Sequence, residues 1–383
     1  MKRIFYIILF ALFCTSFAQA QVGKTFKFTY EGQTLLYQIM SETEVKVAKQ
    51  GRTKVADVVK IPKEVMSGNR KYKVVSIGDA VFWECKNLRI VDVPNSVTYI
   101  GECAFWNCEN LDNVEIPNSV TSIGSSAFGG CENLTNIVIP NSVSSIGEGT
   151  FRECGNLKKV VLPSSVSRIN DYTFAYCRSL ASIVIPNSVT SIEKGAFASC
   201  SSLNNIVIPN SVTTIGKAAF ANCASLTYVR IPSSVTIIKD GAFNSCETLE
   251  KIDVAPDNKF YSSKDEVLFN KAGDTLVSFP GSRETYVVPS TVTHIGKSAF
   301  AICEKINRIE IPNSVTSIGR EAFADCYKLK SVTIKAGTPP NMDERVFFNS
   351  SIQTIYVPSE SVEKYKAAEG WSEYADKIKA IGK

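Results

Sequence analysis

Cysteine recurs at positions 85, 108, 131, 154, 177, 200, 223 and 246, each 23 residues after the last, and again at 303 and 326. A Phe stands three residues before every one of them and a Leu three residues after, with Ile306 the one substitute. No other feature constrains the fold as much as this F-x-x-C-x-x-L motif, held in phase over so long a stretch. Self-similarity at a period of this size marks stacked coils, in which each repeat contacts its neighbours and one core runs on. Length alone, 383 residues, would have suggested two or three globular domains.

Residues 132–154, ENLTNIVIPNSVSSIGEGTFREC, show what one coil does. Leu134, Ile137 and Ile139 follow L-x-x-I-x-I and stop at Pro140. That predicts a short strand, because the pattern is β-branched and alternating and proline cannot donate to a ladder. Pro140-Asn141-Ser142 is turn chemistry. Val143 and Ile146 face inward from a second extended piece, and Gly147 allows a bend. Residues 150–154 have room for one helical or 3₁₀ turn at most. Phe151, Cys154 and Leu157 then bury themselves. The expectation is a solenoid of short parallel strands whose interior is built from repeated Leu, Ile, Val, Phe and Cys.

The ends and one interruption depart from the period. Lys2 and Arg3, the apolar run 4–13 and Ala18-Gln19-Ala20 read as a secretory signal peptide over 1–20, cleaved before Gln21. Phe13 argues against lipid attachment at Cys14. Residues 21–60 alternate with period two (Phe26, Phe28, Tyr30; Leu35, Tyr37, Ile39) and read as an N-terminal β cap over an open solenoid end. The solenoid is expected over 61–254, its first coil stretched by a loop or hairpin near Ser67-Gly68-Asn69-Arg70. Residues 255–288 interrupt it as a hairpin insert, and 289–357 resume it. Residues 358–383 read as a helical C-terminal cap, with Tyr365, Trp371, Tyr374 and Ile378 as buried contacts.

Cysteine in an exported chain ordinarily suggests disulfides. Here equivalent thiols on successive rungs, about 4.8 Å apart, point the same way, which is poor disulfide geometry. The column reads as buried thiols acting as small hydrophobes. Cys103 lies off the column, where Ala80 and Ser126 stand in the adjacent coils; it reads as filler, with a reactive thiol as the alternative. One cysteine per coil without histidine partners makes no zinc site.

Little in the chain points to catalysis. The one histidine, His294, falls in a slot that holds Tyr99, Ser122, Ser145, Arg168 or Ser191 in other coils. Ser-His-Asp, Cys-His and zinc-protease arrangements therefore have little to build on. Acids are plentiful, but nothing pairs two of them across a cleft as glycoside hydrolysis requires. The glycines recur once per coil at bends rather than in a phosphate loop. The expectation is a non-enzyme, without cofactor or metal. The formal charge of +5 falls to +3 once Lys2 and Arg3 are removed, with no basic stripe for nucleic acid. No stretch after the leader is long and apolar enough to span a bilayer.

The unit I-P-N-S-V-T-S-I-G-x-x-A-F-x-x-C-x-x-L, seen at 185–203 and 311–329, resembles the BspA-like leucine-rich-repeat family of bacterial surface proteins. The resemblance covers roughly residues 60–357. Tyr261-Ser262-Ser263 with Val267-Leu268-Phe269-Asn270 is similar to the family's usual interruption, and Tyr356-Val357-Pro358 through Tyr365 to Gly370-Trp371 is similar to the terminal segment of Bacteroides-type members. It implies an α/β leucine-rich-repeat solenoid, a right-handed superhelix or arc of about 10–11 coils. It also implies an adhesin-like surface protein; with the leader, the lack of catalytic groups and the long repetitive face, the expectation is a monomer, secreted or at the cell surface with the periplasm as the alternative, that binds an extracellular or host protein. The resembling residues are nearly all interior, so they transfer no binding site.

Candidate contacts must therefore be sought among outward positions. On each L-x-x-I-x-I strand the second residue after Leu gives Asn136, Lys159, Asn205 and Tyr228. The fourth gives Val138, Val161, Val184 and Val207, flanked by Asp92 and Glu115 on one side and Arg230 and Asp253 on the other. Four outward valines rimmed with charge suggest a protein interface; the alternative is that valine merely suits a strand and the insert or a neighbouring coil covers it. A second expectation is a glycan platform at Trp83 and Trp106, which share one slot in adjacent coils and would stack about 5 Å apart. Its alternative is that both indoles close the solenoid beside the N-terminal cap.

Overall fold

The structure is a computed structural model that describes residues 21–50 and 55–382. The leader expected at 1–20 lies outside the described residues. The chain forms two compact units that divide after Val166, and together they carry about 13 turns. The surplus over the motif count arises because flanking segments join the ladders without the Phe–Cys–Leu signature.

In the first unit, Thr25–Tyr30, Gln33–Ile39 and Glu44–Val47 form an antiparallel meander. Glu31 and Gly32 both take positive φ at the first hairpin, as a two-residue turn with right-handed twist demands. The third strand then pairs parallel with Arg70–Ile77, so the cap is continuous with the first solenoid ladder. That ladder runs on through Tyr99–Ile100, Ser122–Ile123 and Ser145–Ile146. Val58–Lys60 pairs parallel with Ile90–Asp92, so the repetitive part starts inside the segment expected to be cap. The stretched first coil is a hairpin, Glu64–Ser67 against Arg70–Ile77, turning at Gly68.

The side of the coil carrying Phe and Cys holds no helix. Ala80, Cys103 and Ser126 have positive φ, as do Glu84, Asn107 and Gly130 four residues on. The alternating hand turns every second N–H along the solenoid axis. Ala80, Phe82 and Glu84 donate to the carbonyls of Glu102, Ala104 and Trp106 at 2.7–2.8 Å, which makes a third ladder from turns. Non-glycine residues in this conformation cost about 1–2 kcal/mol each, and the axial hydrogen bonds offset it. Gly147 has a different role from the bend expected of it: a Cβ there would lie 2.3 Å from the Ser125 nitrogen, so it permits close approach of coils.

The interior is columnar. Phe82, Phe105, Phe128 and Phe151 stack at centroid distances of 5.2–5.7 Å with interplanar angles of 4–16°. Within the column the thiols of Cys108, Cys131, Cys154, Cys200, Cys223, Cys246 and Cys326 donate to the Phe carbonyl of the preceding coil, as Cys131 Sγ does to Phe105 O at 3.2 Å and Cys154 Sγ to Phe128 O at 3.1 Å. Every described cysteine is a free thiol.

The second unit repeats this plan. One of its strand ladders begins at Arg168–Ile169 and its Phe column stacks from Phe174 to Phe243 at 5.4–5.7 Å. The insert is only partly an excursion. Tyr261–Lys264 and Val267–Asn270 form a hairpin, yet Thr275–Ser278 pairs parallel with His294–Ile295 and Thr285–Val287 with Arg308–Glu310. Both ladders therefore resume before residue 288. Buried Asn258 anchors the entry to the insert: its amide donates to Pro232 and Val235 carbonyls, and its oxygen accepts from Phe260 and Tyr261 N–H.

The C-terminal segment is helical only in part. It has a 3₁₀ turn at Ser359–Ser361, an α-helix over Val362–Ala367 and a second 3₁₀ segment at Ser372–Lys377. It then ends as a strand, Ile378–Ala380, parallel to Thr354–Val357. Tyr365 and Trp371 are buried and donate to the carbonyls of Ala336 and Pro340.

Two outcomes follow. Phe128→Ala should destabilise the chain by about 3–5 kcal/mol, read as a lower urea midpoint of the cooperative transition. In native protein only Cys85 and Cys103 should react with a maleimide, and slowly, because burial raises both thiols above the ordinary cysteine range. The rest of the column is buried and, with Cys154 pushed up to about 12 by burial, should label only in denaturant.

Candidate functional site

The outward row falls in two parts, one in each unit. In the first, Asn136 pairs with Lys159 and Val138 with Val161, and all four are exposed. In the second, Ser182–Ile183 pairs with Asn205–Ile206, which places Val184 and Val207 next along adjacent strands, 82% and 71% exposed. Alternation dictates this arrangement. Ile183 and Ile185 are buried, so Val184 between them must face out.

Val184, Val207, Asn205, Tyr228 and Arg230 line a groove of about 960 Å³. Ala255 and Asp257, at the start of the insert, also line it, and the insert leaves the valines open. The alternative that the insert covers them therefore fails. Tyr228 and Arg230 are held by one carboxylate: Asp253 Oδ2 accepts from the Tyr228 hydroxyl at 3.3 Å and from Arg230 Nη1 at 3.4 Å. The groove thus joins two bare aliphatic side chains to an aromatic and a guanidinium whose positions are set beforehand.

The tryptophan expectation is altered in geometry. The indoles of Trp83 and Trp106 lie 6.1 Å apart with a 31° tilt, so they overlap like shingles rather than present two parallel faces. Trp83 is exposed and Trp106 half-buried. His294 is exposed, its Nδ1 2.6 Å from the Thr293 hydroxyl. Among the described residues no group of three or more His, Cys, Asp or Glu side chains stands together as metal ligands. Among them, too, no helix is long and apolar enough to cross a membrane.

One acidic pair escapes sequence reading. Glu247 and Glu304 lie 57 residues apart and meet because the chain returns to the column after the insert. The Glu304 carboxyl is raised above the usual range, first by burial, then by the charge and hydrogen bond of Glu247, with Lys328 opposing. The two carboxyls touch, whereas glycoside hydrolysis needs a gap of about 5–9.5 Å between its acids.

Parallel ladders spaced one coil apart, a stacked Phe column in each unit and outward strand positions whose residues change from coil to coil define a leucine-rich-repeat solenoid. The chain belongs to the BspA type leucine rich repeat region family, whose model matches residues 67–181, 167–285 and 277–368. A leucine rich cell surface protein from Faecalibacterium prausnitzii is similar to it at 27% identity, with 94% of this chain and 95% of that one covered and a TM-score of 0.62. A leucine-rich repeat protein from Bacteroides ovatus is similar at 26% identity, with 91% and 98% covered and a TM-score of 0.54. No curated protein matches the chain.

The raised Glu304 carboxyl carries a pH signature. The folded state holds this proton more tightly than the unfolded state, so its contribution falls as pH rises from the ordinary glutamate range through the folded value. Glu304→Gln should flatten that part of the profile of melting temperature against pH and raise the melting temperature at neutral pH. An unchanged profile would show that the pair is not coupled.

Proposed function

We propose that this chain is an exported, non-enzymatic binding scaffold at the cell surface, and that it takes another protein on the outward strand face around Val184 and Val207. The single observation that carries this reading is the groove itself. Two valines stand largely bare beside Tyr228 and Arg230, and tyrosine and arginine are the residue types that concentrate binding energy in protein interfaces. An apolar patch rimmed with polar groups marks such a surface. Fully burying an aliphatic side chain contributes about 1.5–3 kcal/mol, so the valines supply the desolvated centre and Asp253 spares the cost of ordering its two partners. The exposed Val138 and Val161 offer a similar aliphatic pair in the first unit, rimmed by Asn136 and Lys159 in place of an aromatic and a guanidinium. The cell-surface description of the Faecalibacterium relative and the leader expected over 1–20 support export.

The test uses residues 21–383 against immobilised matrix proteins and mucins. Val184→Glu with Val207→Glu should leave the melting temperature nearly unchanged, since exposed substitutions cost within about 0.5 kcal/mol. Capture should fall about a hundredfold or more. Equal capture by the double variant would remove the groove from the binding surface.

A further inference from the structure

Trp83 and Trp106 follow the stacked Phe in their coils, and the next residue in that column is Gly129. Gly129 and Gly130 form the one coil here that carries no side chains in the two slots after Phe. The preceding coil settles into the space. A Cβ at Gly129 would lie 2.3 Å from the Trp106 ring, and one at Gly130 would lie 2.1 Å from Asn107 Oδ1. The Trp106 indole is therefore bedded on bare backbone. Trp83 leans on it at 6.1 Å and leaves a large part of its ring in solvent, 42% exposed. Later coils put Ala175, Ala198 and Ala221 in this slot, so the fold itself does not require an aromatic residue there. Polar groups surround the bed. Asn107 lies beside Trp106, exposed Glu84 follows Trp83, and Lys86 pairs with Glu109 at 2.6 Å across the same two coils.

We propose that Trp83 and Trp106 form a carbohydrate contact that takes a neutral pyranose. A rigid, open indole offers the flat apolar surface that the C–H face of a sugar ring covers. The carboxylates, carboxamide and ammonium around it supply the acceptors and donors that ring hydroxyls need. Electrostatics selects among stacking ligands. Glu84 and Glu109 outnumber Lys86, so nucleic acids and acidic glycans are repelled while an uncharged sugar is not. The site is separate from the valine groove and stands or falls without it.

Only three tryptophans occur in the chain, and the third, Trp371, is buried with its N–H bonded to Pro340 O and shielded from ligand, so a ligand-dependent change in indole emission reports on this pair. Full-length mature protein is titrated with cellohexaose, mannohexaose and chitohexaose, and with heparin and polygalacturonate as charged counterparts. A saturable change in emission with at least one neutral hexasaccharide, absent with the polyanions, is expected. Trp83→Ala should weaken binding about tenfold or more while Trp83→Phe keeps part of it. Gly129→Ala, which displaces the Trp106 ring without removing it, should weaken binding too. No response to any neutral probe, an equal response to the polyanions, or full binding by folded Trp83→Ala would overturn the proposal. So would a response to a matrix protein in place of the sugars.

Discussion

The fold depends on one distance, the separation of adjacent coils. Hydrogen-bonded strands sit about 4.8 Å apart, and three ladders in each coil enforce that spacing, two from strands and one from turns. The Phe column shows how side chains meet it. Rings stacked at 5.2–5.7 Å and nearly parallel are offset stacks, the arrangement favoured by aromatic quadrupoles. The cysteine beside each ring fills what remains, since its thiol is small, apolar and still able to satisfy a carbonyl of the coil before. A serine hydroxyl there would hold more tightly to water, and a valine would crowd the neighbouring coil.

That constraint explains which parts of the chain could be read directly. Interior positions obey the period because every coil must present the same shape to the next, so Phe128, Cys131 and Leu134 announce their burial by repetition. Strand membership needs only backbone. Val58–Lys60, Thr285–Val287 and Ile378–Ala380 join the ladders without the motif, and the boundaries drawn from side-chain pattern miss each of them. The left-handed turns were hidden for a related reason. Glu84, Asn107, Glu153 and Ser199 share no chemistry, yet all take positive φ, because the axial hydrogen bond and not the side chain selects it.

The outward residues were legible as a row but not as a site. Alternation alone puts Val184 and Val207 outside. Nothing in the letters shows that Asp253, 23 residues beyond Arg230, collects both Tyr228 and Arg230, or that the insert leaves the valines bare. The Glu247–Glu304 contact is likewise a product of chain return after an insert, which periodicity cannot count through. The Gly129-Gly130 bed had a signal, two glycines in slots that hold side chains elsewhere, and its meaning appears only beside the tryptophan one coil earlier.

A scaffold built this way separates stability from recognition unusually well. Substituting a column residue disturbs the contacts of at least two coils, so the interior resists change. Outward strand and turn positions contribute their backbone to the ladders whatever side chain they carry, so they are free to vary at little cost. Recognition can accumulate at any rung where two or three such positions come to agree. It requires neither a pocket excavated from the core nor a strained backbone beyond what every coil already has. The valine groove and the indole bed are both of this kind: each is made of side chains from adjacent coils placed on a backbone that would be the same without them.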